Sequence, residues 1–525
     1  MSRPSLVRLG SKSGACRRAR SRLSRFAGGE DGTLTVLALF FLLIMMGIAG
    51  IGIDLMRYER NRASLQYTLD RAVLAAADLD QSAEPEEVVR DYLDQAGLLQ
   101  YLTGITVEEG LGFRKVDASA ESAFPTQFMH MSGIDTLSAP AKSVAEESIG
   151  VVEISLILDV SGSMAWNNRL YNLKIAAKDF VDVMLANTEP GALSISIIPY
   201  ATQVNAGESL LSLYPNVTQE HNYSHCVNFN DDQFSKSTID RYDIFERTGH
   251  FDPWSWNRYG ITIPVCPTRN GTEILPLTDD RNVLHAHIDA MTAQGNTSID
   301  IGTKWGVGLL DPSTRSVVSD LIGQGKVHPK FEGRPTDYNT DVLKIAVIMS
   351  DGQNTDQYML NPSLRDTMSD VWFNAEANTY SVRHSEGAYY WPDWDIWRAH
   401  PYGEGDGEIG EPERVRYTDL FDRVSIRYFA NYLYSYTNSS WGRESSSYSK
   451  KETSAKDQRS KHVCDAAKDN GVIVYGVAFE APRAGYRLLK KCASSDSHMY
   501  DVDGLEISDA FSSIASSIRK LRLTQ

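Results

Sequence analysis

VVEISLILDVSGSM, at Val151–Met164, is the most informative segment of the chain. It opens with an almost continuous apolar run, Val151–Leu158, and ends in a polar turn that carries Asp159, Ser161 and Ser163. A short apolar run bounded by turn residues is typical of a strand that is buried on both faces. The segment therefore predicts a central strand whose last residues form a polar loop.

The sequence on the carboxyl side repeats this alternation of apolar strands and amphipathic helices. Alternating strands and helices predict an α/β fold, a doubly wound and mainly parallel sheet covered on both faces. In such sheets, ligands bind at the carboxyl ends of the strands. The further predicted strands are residues 192–198, 342–349, 471–479 and 499–502, and the predicted helices are 168–186, 461–469 and 505–521.

Oxygen-bearing side chains follow these strands. Asp159, Ser161 and Ser163 leave the first strand, Asp351 leaves a later one, and Thr297 lies in a polar loop between them. Carboxylates and hydroxyls without His or Cys suit a hard divalent cation such as Mg²⁺. The five residues are the predicted metal ligands. The alternative is an Asp/Ser turn that merely caps a helix.

This order of elements resembles the von Willebrand factor type A domain, in which Asp-x-Ser-x-Ser, a Gly-x-Thr loop and Ser-Asp-Gly form a metal-ion-dependent adhesion site. The resemblance implies direct ligation by Ser161, Ser163 and Thr297, and direct or water-mediated ligation by Asp159 and Asp351. It also implies Mg²⁺, with Mn²⁺ or Ca²⁺ possible, and a partner protein whose carboxylate completes the coordination shell.

The region that resembles this domain, residues 149–525, is longer than is usual for the family. We expect insertions at about 200–278, 311–340 and 356–450, the second of them a polar loop. The aromatic residues of the other two favour packed inserts over linkers, with a binding surface as the alternative.

The N-terminal region predicts a membrane anchor. A basic segment, residues 1–32, precedes TLTVLALFFLLIMMGIAGIGI at 33–53, which is uncharged and about 31 Å long as a helix. A transmembrane helix is favoured over a signal peptide or a buried core helix. The basic flank places the N-terminus in the cytoplasm and the rest outside. Residues 54–100 predict a helical stalk, and 101–148 a small strand-containing stem.

Four cysteines lie on the predicted outer side, where disulfides form, and Cys16 lies on the reducing side. Four cysteines allow three connectivities, of which the sequence-local pairs Cys226–Cys266 and Cys464–Cys492 are favoured. Free buried thiols are the alternative.

The basic N-terminus, the apolar helix with Asp54 and Arg57, and the Ala/Asp-rich helix LDRAVLAAADLD resemble Tad/Flp pilus-assembly proteins of the TadE/TadF/TadG group. With the A-type domain, the pattern is similar to the long, TadG-like members. The resemblance implies a single-pass protein of a bacterial inner membrane that acts in pilus assembly or adhesion. A structural tether with a purely stabilising metal and a metal-assisted hydrolase are the alternatives.

Composition and motifs exclude several classes of partner and function. The 525-residue chain has a formal charge of −16 and a pI near 5.2, which argues against nucleic acid as a partner. The only GxGxxG, at Gly405–Gly410, lies among acidic residues, so nucleotide binding has little support. An enzyme would need a general base beside the metal, and the sequence offers no clear one. The chain is therefore predicted not to be an enzyme.

Overall fold

The computed structural model describes residues 32–78, 81, 83–110, 113–148, 151–186, 188, 191–338, 342–437 and 440–522. The predicted basic segment up to residue 31, with Cys16, lies outside the described residues. The chain divides into two units, one formed by residues up to 109 with 113–147, and the other by 110–112 with 148–525.

The first unit begins with a 45-residue helix, which is long and apolar enough to cross a membrane. The predicted apolar span forms its first half. The elements of this unit are α1 (Thr33–Ala77), α2 (Pro85–Gln95), β1 (Leu102–Gly110), β2 (Phe113–Pro125) and β3 (Thr136–Ser148), and the strands form one sheet in the order β1-β2-β3.

The second half of α1 is part of a folded unit and does not stand alone as a stalk. Leu69 and Val73 of α1 are fully buried in a core that includes Val89 of α2 and Val116 and Ala118 of β2. The spacing of four residues places Leu69 and Val73 on one face of the helix. The stem sheet and α2 cover that face.

The second unit is α/β, as predicted. Its elements are β4 (Val152–Asp159), α3 (Arg169–Leu185), β5 (Leu193–Tyr200), α4 (Glu208–Leu211), β6 (Val227–Asn228), β7 (Glu246–Arg247), β8 (Leu275–Thr278), α5 (Arg281–Ala290), α6 (Ile299–Gly308), α7 (Arg315–Gly323), β9 (Leu343–Ser350), β10 (Gln357–Leu360), β11 (Met368–Asn374), β12 (Thr379–Ser385), β13 (Ala388–Trp391), β14 (Ile396–Arg398), β15 (Pro412–Arg416), α8 (Tyr417–Arg423), α9 (Ile426–Tyr428), α10 (Ser440–Ser447), β16 (Tyr448–Lys451), α11 (Thr453–Asp469), β17 (Ile473–Phe479), α12 (Arg483–Cys492), β18 (Met499–Val502) and α13 (Glu506–Arg522).

The central sheet has six strands in the order β18-β17-β9-β4-β5-β8. The pairs β17–β18, β17–β9, β4–β9 and β4–β5 are parallel, and the edge strand β8 pairs antiparallel with β5. Every residue of β4, β5 and β9 is buried. Their largely apolar sequences fit this position, because helices cover both faces of the sheet.

Two apolar cores lie on the two faces of the sheet. Leu156 and Leu158 of β4 face the core that includes α3, α5 and α13, whereas Ile157 faces the core that includes α6, α7, α11 and α12. This alternation follows from the two-residue period of a strand. Because these strands are parallel, all of their carboxyl ends lie at one edge of the sheet.

One of the three expected insertions differs from its prediction. Residues 311–340 were expected to form a polar loop, but they contain α7, in which Val317, Val318 and Leu321 are buried. These positions recur at helical spacing, so they form an apolar stripe within a polar segment. The carboxyl-terminal end of the expected 200–278 insertion contributes β8 to the central sheet.

The third expected insertion forms a separate apolar core, to which Phe251 and Val265 of the 200–278 region also contribute. It forms an antiparallel five-stranded sheet in the order β14-β13-β12-β11-β15, and its aromatic residues, among them Phe421 and Phe429, are buried together.

The favoured disulfides are confirmed, because Cys226 bonds to Cys266 and Cys464 bonds to Cys492.

We expect Gly485→Ala to destabilise the protein. A Cβ at Gly485 of α12 would lie 1.9 Å from the carbonyl oxygen of Gly352, so the loop after β9 would have to move. Overpacking of this kind typically costs about 1–3 kcal/mol. Gly323→Ala is the matched control, because a Cβ there meets nothing within 4 Å. Thermal unfolding should show a lower Tm for Gly485→Ala only, and equal Tm values would contradict this packing.

Candidate metal site

The site begins where β4 and β9 end side by side. In the parallel register Leu158 pairs with Met349, so Asp159 lies next to Ser350, and Asp351 follows directly. Ser350 Oγ donates a hydrogen bond of 2.7 Å to Asp159 Oδ2. Strand register alone therefore brings two carboxylates, 192 positions apart in the numbering from 159 to 351, to one edge.

The turn after β4 adds two hydroxyls to these carboxylates. The backbone N–H of Ser161 donates to Asp159 Oδ1 at 2.8 Å, which fixes the start of the turn. The hydroxyl oxygens of Ser161 and Ser163 are 3.1 Å apart, and Ser163 Oγ donates to Asp351 Oδ1 at 2.7 Å. Four of the five predicted ligands are thus joined by direct hydrogen bonds.

The loop before α6 brings Thr297 to the same edge. Gly162 N donates to the carbonyl of Gly295 at 2.9 Å, and Gly295 has a φ of +89°, a conformation that favours glycine. Thr297 N donates to Thr355 Oγ1 at 3.1 Å. The Thr297 hydroxyl oxygen lies 3.5 Å from the position of a Cβ on Gly352, beside Asp351. Three loops that carry predicted ligands therefore meet at this edge of the sheet.

Burial makes the paired carboxylates costly to ionise. Asp159 is fully buried and Asp351 is only 3% exposed. Loss of hydration, followed by the nearby charge of Asp351, raises the pKa of Asp159 to about 7. Burial also raises the pKa of Asp351, against the hydrogen bond from Ser163 and the charge of Arg169. A cation between the carboxylates would remove much of this cost.

The donor set fits a hard divalent cation. Its oxygens come from two carboxylates and three hydroxyls, the ligand types that Mg²⁺ and Ca²⁺ prefer. Within the part of the chain that the structure describes, no group of three or more His, Cys, Asp or Glu side chains could hold a metal ion. The predicted site differs from such a group because three of its five residues offer hydroxyls and only two offer carboxylates.

Sequence reasoning missed Arg169, which lies beside the site. Its Nη1 donates to Asp351 Oδ2 at 2.9 Å and its Nε to Glu480 Oε2 at 2.8 Å. Asp351 therefore turns Oδ1 toward the hydroxyls and Oδ2 toward Arg169. Asn167 and Asn168, just before Arg169, have φ values of +55° and +57°, an uncommon conformation for residues with a side chain. Glu480 could have been found, because it follows β17 at the same edge of the sheet.

A buried cluster of charged residues forms hydrogen bonds to the Thr297 loop. Lys456 of α11 is fully buried and donates from Nζ to the carbonyl of Thr297 at 3.3 Å and to Ser298 Oγ. The same Nζ lies 3.5 Å from Asp300 Oδ1, and Arg459 Nη1 lies 3.8 Å from Asp300 Oδ2. Lys456 thus lies beside a carboxylate while it holds the backbone of a predicted ligand.

The fold and the site define a class of protein: an α/β protein with a candidate oxygen-ligand site at the carboxyl edge of its sheet and a long apolar helix. Residues 32–79 match the family described as "Tad: Putative Flp pilus-assembly TadE/G-like". The predicted resemblance of the N-terminal segment is therefore confirmed, and this segment is of the TadE/G-like type. No curated protein matches the chain.

Solved structures of pilus proteins show weak similarity. The vWF domain of the type V pili tip protein Mfa5 from Porphyromonas gingivalis is 14% identical, with 71% of this chain and 96% of that chain covered and a TM-score of 0.30. The adhesive tip pilin GBS104 from Group B Streptococcus agalactiae is 14% identical, with 70% and 99% covered and a TM-score of 0.33. The pilus adhesin SpaC from Lactobacillus rhamnosus GG is 12% identical, with 79% and 34% covered and a TM-score of 0.31. Similarities this low do not decide fold or function.

Asp159→Asn should change how stability depends on pH in the metal-free protein. The pKa of Asp159 is raised to about 7 in the folded state, above its ordinary value of 3.8, so the folded protein holds the proton more tightly. The stability that protonated Asp159 contributes is therefore lost as the pH rises from about 4 to about 7. Above pH 7 this loss of stability stays constant. Asn keeps an oxygen for Ser161 N without the charge.

Thermal unfolding in EDTA between pH 4.5 and 8 measures this effect. We expect the Tm of the variant to exceed that of the wild type at pH 8 and to approach it at pH 4.5. Asp366→Asn, at an exposed carboxylate, is the control. Parallel pH curves for wild type and Asp159→Asn would contradict the account of the buried charge.

Proposed function

We propose that this chain is a membrane-anchored pilus-assembly or adhesion protein whose von Willebrand A-type domain binds a partner protein through Mg²⁺. The doubly wound, mainly parallel sheet of residues 149–525 would present Asp159, Ser161, Ser163, Thr297 and Asp351 to one cation. The observation that carries the proposal is the hydrogen-bonded chain from Asp159 to Asp351, which gathers oxygens from separate loops at the carboxyl edge of the sheet.

A carboxylate is the partner chemistry that best suits this site. When bound, Mg²⁺ would supply positive charge and fixed geometry, and about six oxygens complete its shell. The chain offers five residues, and two of these are held partly by other bonds, Asp159 by Ser350 and Asp351 by Arg169. An acidic side chain from a pilus component, an envelope protein or a surface receptor would fill the remaining position.

The anchor and its orientation belong to the same proposal. α1 would cross a bacterial inner membrane once, with the N-terminus in the cytoplasm and the A-type domain outside. Two observations support it: the apolar half of α1 in a segment of the TadE/G-like family, and two disulfides in the second unit, which form in oxidising compartments.

A hydrolytic role has less support from the site. Glu480 is linked to the site through Arg169, which also donates to Asp351, and is therefore the carboxylate considered as a general base. Burial opposes its ionisation, but the hydrogen bond from Arg169 holds the pKa of Glu480 below its ordinary value. A carboxylate so held is a weak general base.

Mg²⁺ should stabilise the folded protein in a saturable way. A ligand that binds only the folded state at about 100 times its Kd adds about 2.7 kcal/mol, which is a rise of several degrees in Tm. Ser161→Ala removes one predicted ligand and should abolish the rise, whereas Ser445→Ala, at an exposed serine of α10, should retain it. The measurement is thermal unfolding of the full chain in lipid nanodiscs with EDTA, Mg²⁺ or Mn²⁺. An equal rise in Ser161→Ala would place the cation elsewhere.

Partner capture should need both the cation and the exposed surface beside it. Trp166 follows the Ser163 turn and is 71% exposed, as expected of an interface anchor. We expect Trp166→Ala to weaken partner capture at least tenfold without changing the Mg²⁺-induced rise in Tm. Trp441→Ala, at a tryptophan that is 80% exposed on α10, is the matched control.

Capture is measured by cross-linking in native membranes, followed by quantification of pilus components bound to each variant in Mg²⁺ and in EDTA. Loss of capture in EDTA, in Ser161→Ala and in Trp166→Ala, but not in Trp441→Ala, supports recognition through the cation. Capture that survives EDTA and Ser161→Ala, with only a lower Tm, favours the structural tether and contradicts the adhesion proposal.

A further inference from the structure

Residues 126–134, the loop between β2 and β3 in the first unit, are unusually apolar for an exposed turn. Residues 122–134 contain no Asp, Glu, Lys or Arg. The loop includes one turn of 3₁₀ helix, Met129–Ser132, and is closed where Thr126 N donates to the carbonyl of Asp135 at 3.0 Å. Phe128, Met131 and Ile134 are 40%, 84% and 41% exposed. A defined turn thus presents three large apolar side chains on its surface.

The loop is fastened to α1 by Asp54. The Asp54 carboxylate accepts the backbone N–H groups of Gln127, Phe128 and Met129 at 3.0, 2.7 and 2.8 Å, and only 2% of Asp54 is exposed. One turn earlier on α1, the Phe128 ring covers Gly50, where a Cβ would come within 2.6 Å of the ring. A polar and an apolar contact therefore fix the loop on one side of the helix.

The position of this attachment along α1 is informative. The uncharged run ends at Ile53, and the first charged side chains of the helix are Asp54 and Arg57. Gly50 lies three residues before that end, or about 4.5 Å along the axis. If the uncharged run fills a bilayer core, Phe128 lies at the hydrocarbon boundary and Asp54 just beyond it.

At such a boundary the Asp54 carboxylate and the backbone N–H groups of the loop stabilise each other. An unpaired carboxylate or unpaired backbone N–H groups near hydrocarbon would each be costly. Here the three N–H groups satisfy the carboxylate of Asp54, so the loop can lie in a region of low polarity. The helix and loop also enclose an apolar groove of about 550 Å³, lined by Leu43, Met46, Gly47, Gly50, Phe128 and Met131 among others.

We propose that the loop 126–134 is a membrane-seated element: it lies in the boundary of the lipid bilayer where α1 emerges, with Phe128 and Met131 against lipid acyl chains that occupy the groove. Asp54 holds the loop there. This inference rests on the proposed membrane anchoring. Continuity of the groove with the uncharged face of α1 is what identifies lipid as the occupant, because the same side chains of α1 that would face lipid also line the groove.

The test measures lipid contact in the full chain. The protein, with Cys16→Ser, is placed in phosphatidylcholine nanodiscs, and a bimane label is attached at Met131→Cys. Bromine atoms on carbons 6 and 7 of the acyl chains quench a label that touches them, and aqueous iodide quenches a label in water. We expect brominated lipid to lower the Met131→Cys fluorescence by about twofold or more, with little effect of iodide.

Two further label positions serve as references. Val144→Cys carries the label on β3, at an apolar residue that is 49% exposed and about 26 Å along the strand from Thr136. We expect it to respond to iodide and not to brominated lipid. Phe40→Cys places the label within the uncharged run of α1, at a residue that is 58% exposed and outside the groove lining, and should respond to brominated lipid.

These references separate the loop from the anchor. If Phe40→Cys is quenched by brominated lipid and Met131→Cys behaves like Val144→Cys, the loop inference is wrong and the anchor stands. If Phe40→Cys is not quenched, the proposed anchoring fails and the loop inference fails with it. A Met131→Cys label shielded from both quenchers would show that protein, not lipid, fills the groove, and would overturn the inference.

The role of Asp54 is tested in the same background. Asp54→Ala removes every acceptor for the three N–H groups, so we expect the Met131→Cys label to lose at least half of its lipid quenching. Asp54→Asn keeps one acceptor oxygen and should lose less. Unchanged quenching in Asp54→Ala would contradict the assignment of Asp54 as the group that holds the loop.

Discussion

The central constraint in the second unit is electrostatic. Two carboxylates lie in a buried site at neighbouring strand ends, where they repel each other. Asp159 and Asp351 are placed there by the parallel register of β4 and β9, which the apolar core on both faces of the sheet fixes. A one-residue slip would turn every side chain to the opposite face, so the register cannot relax to separate them. Burial and mutual repulsion raise the pKa of Asp159, and the surrounding hydroxyls compensate only in part.

The strand ends, and the placement of the four candidate ligands at the ends of β4 and β9, could be predicted from sequence because they depend on local patterns. Apolar runs mark β4 and β9, and the residues that follow them must meet at one edge. Arg169 could not be predicted, because its contacts with Asp351 and Glu480 depend on how α3 lies against the sheet. The polar segment that contains α7 was misjudged because its three buried residues are few among polar neighbours. Longer apolar runs give a stronger signal than a single helical stripe.

Buried carboxylates in the two units illustrate two ways to satisfy the same chemical group. Asp54 in the first unit receives three backbone N–H groups, so its charge is compensated by the fold itself. Asp159 in the second receives one backbone N–H and one hydroxyl and has a second carboxylate nearby. The first arrangement is complete without a ligand, whereas the second would gain from a cation. This difference in hydrogen bonding separates a structural carboxylate from a candidate ligand.

The most direct test of a cation at this site is a crystal of the protein grown with Mn²⁺ and measured at the manganese absorption edge. Mn²⁺ stands in for Mg²⁺ and scatters anomalously. The account predicts one anomalous peak between Asp159 and Asp351, within about 2.0–2.3 Å of the Ser161 and Ser163 hydroxyl oxygens. An anomalous map without a peak there, at Mn²⁺ concentrations that saturate any rise in Tm, would contradict it.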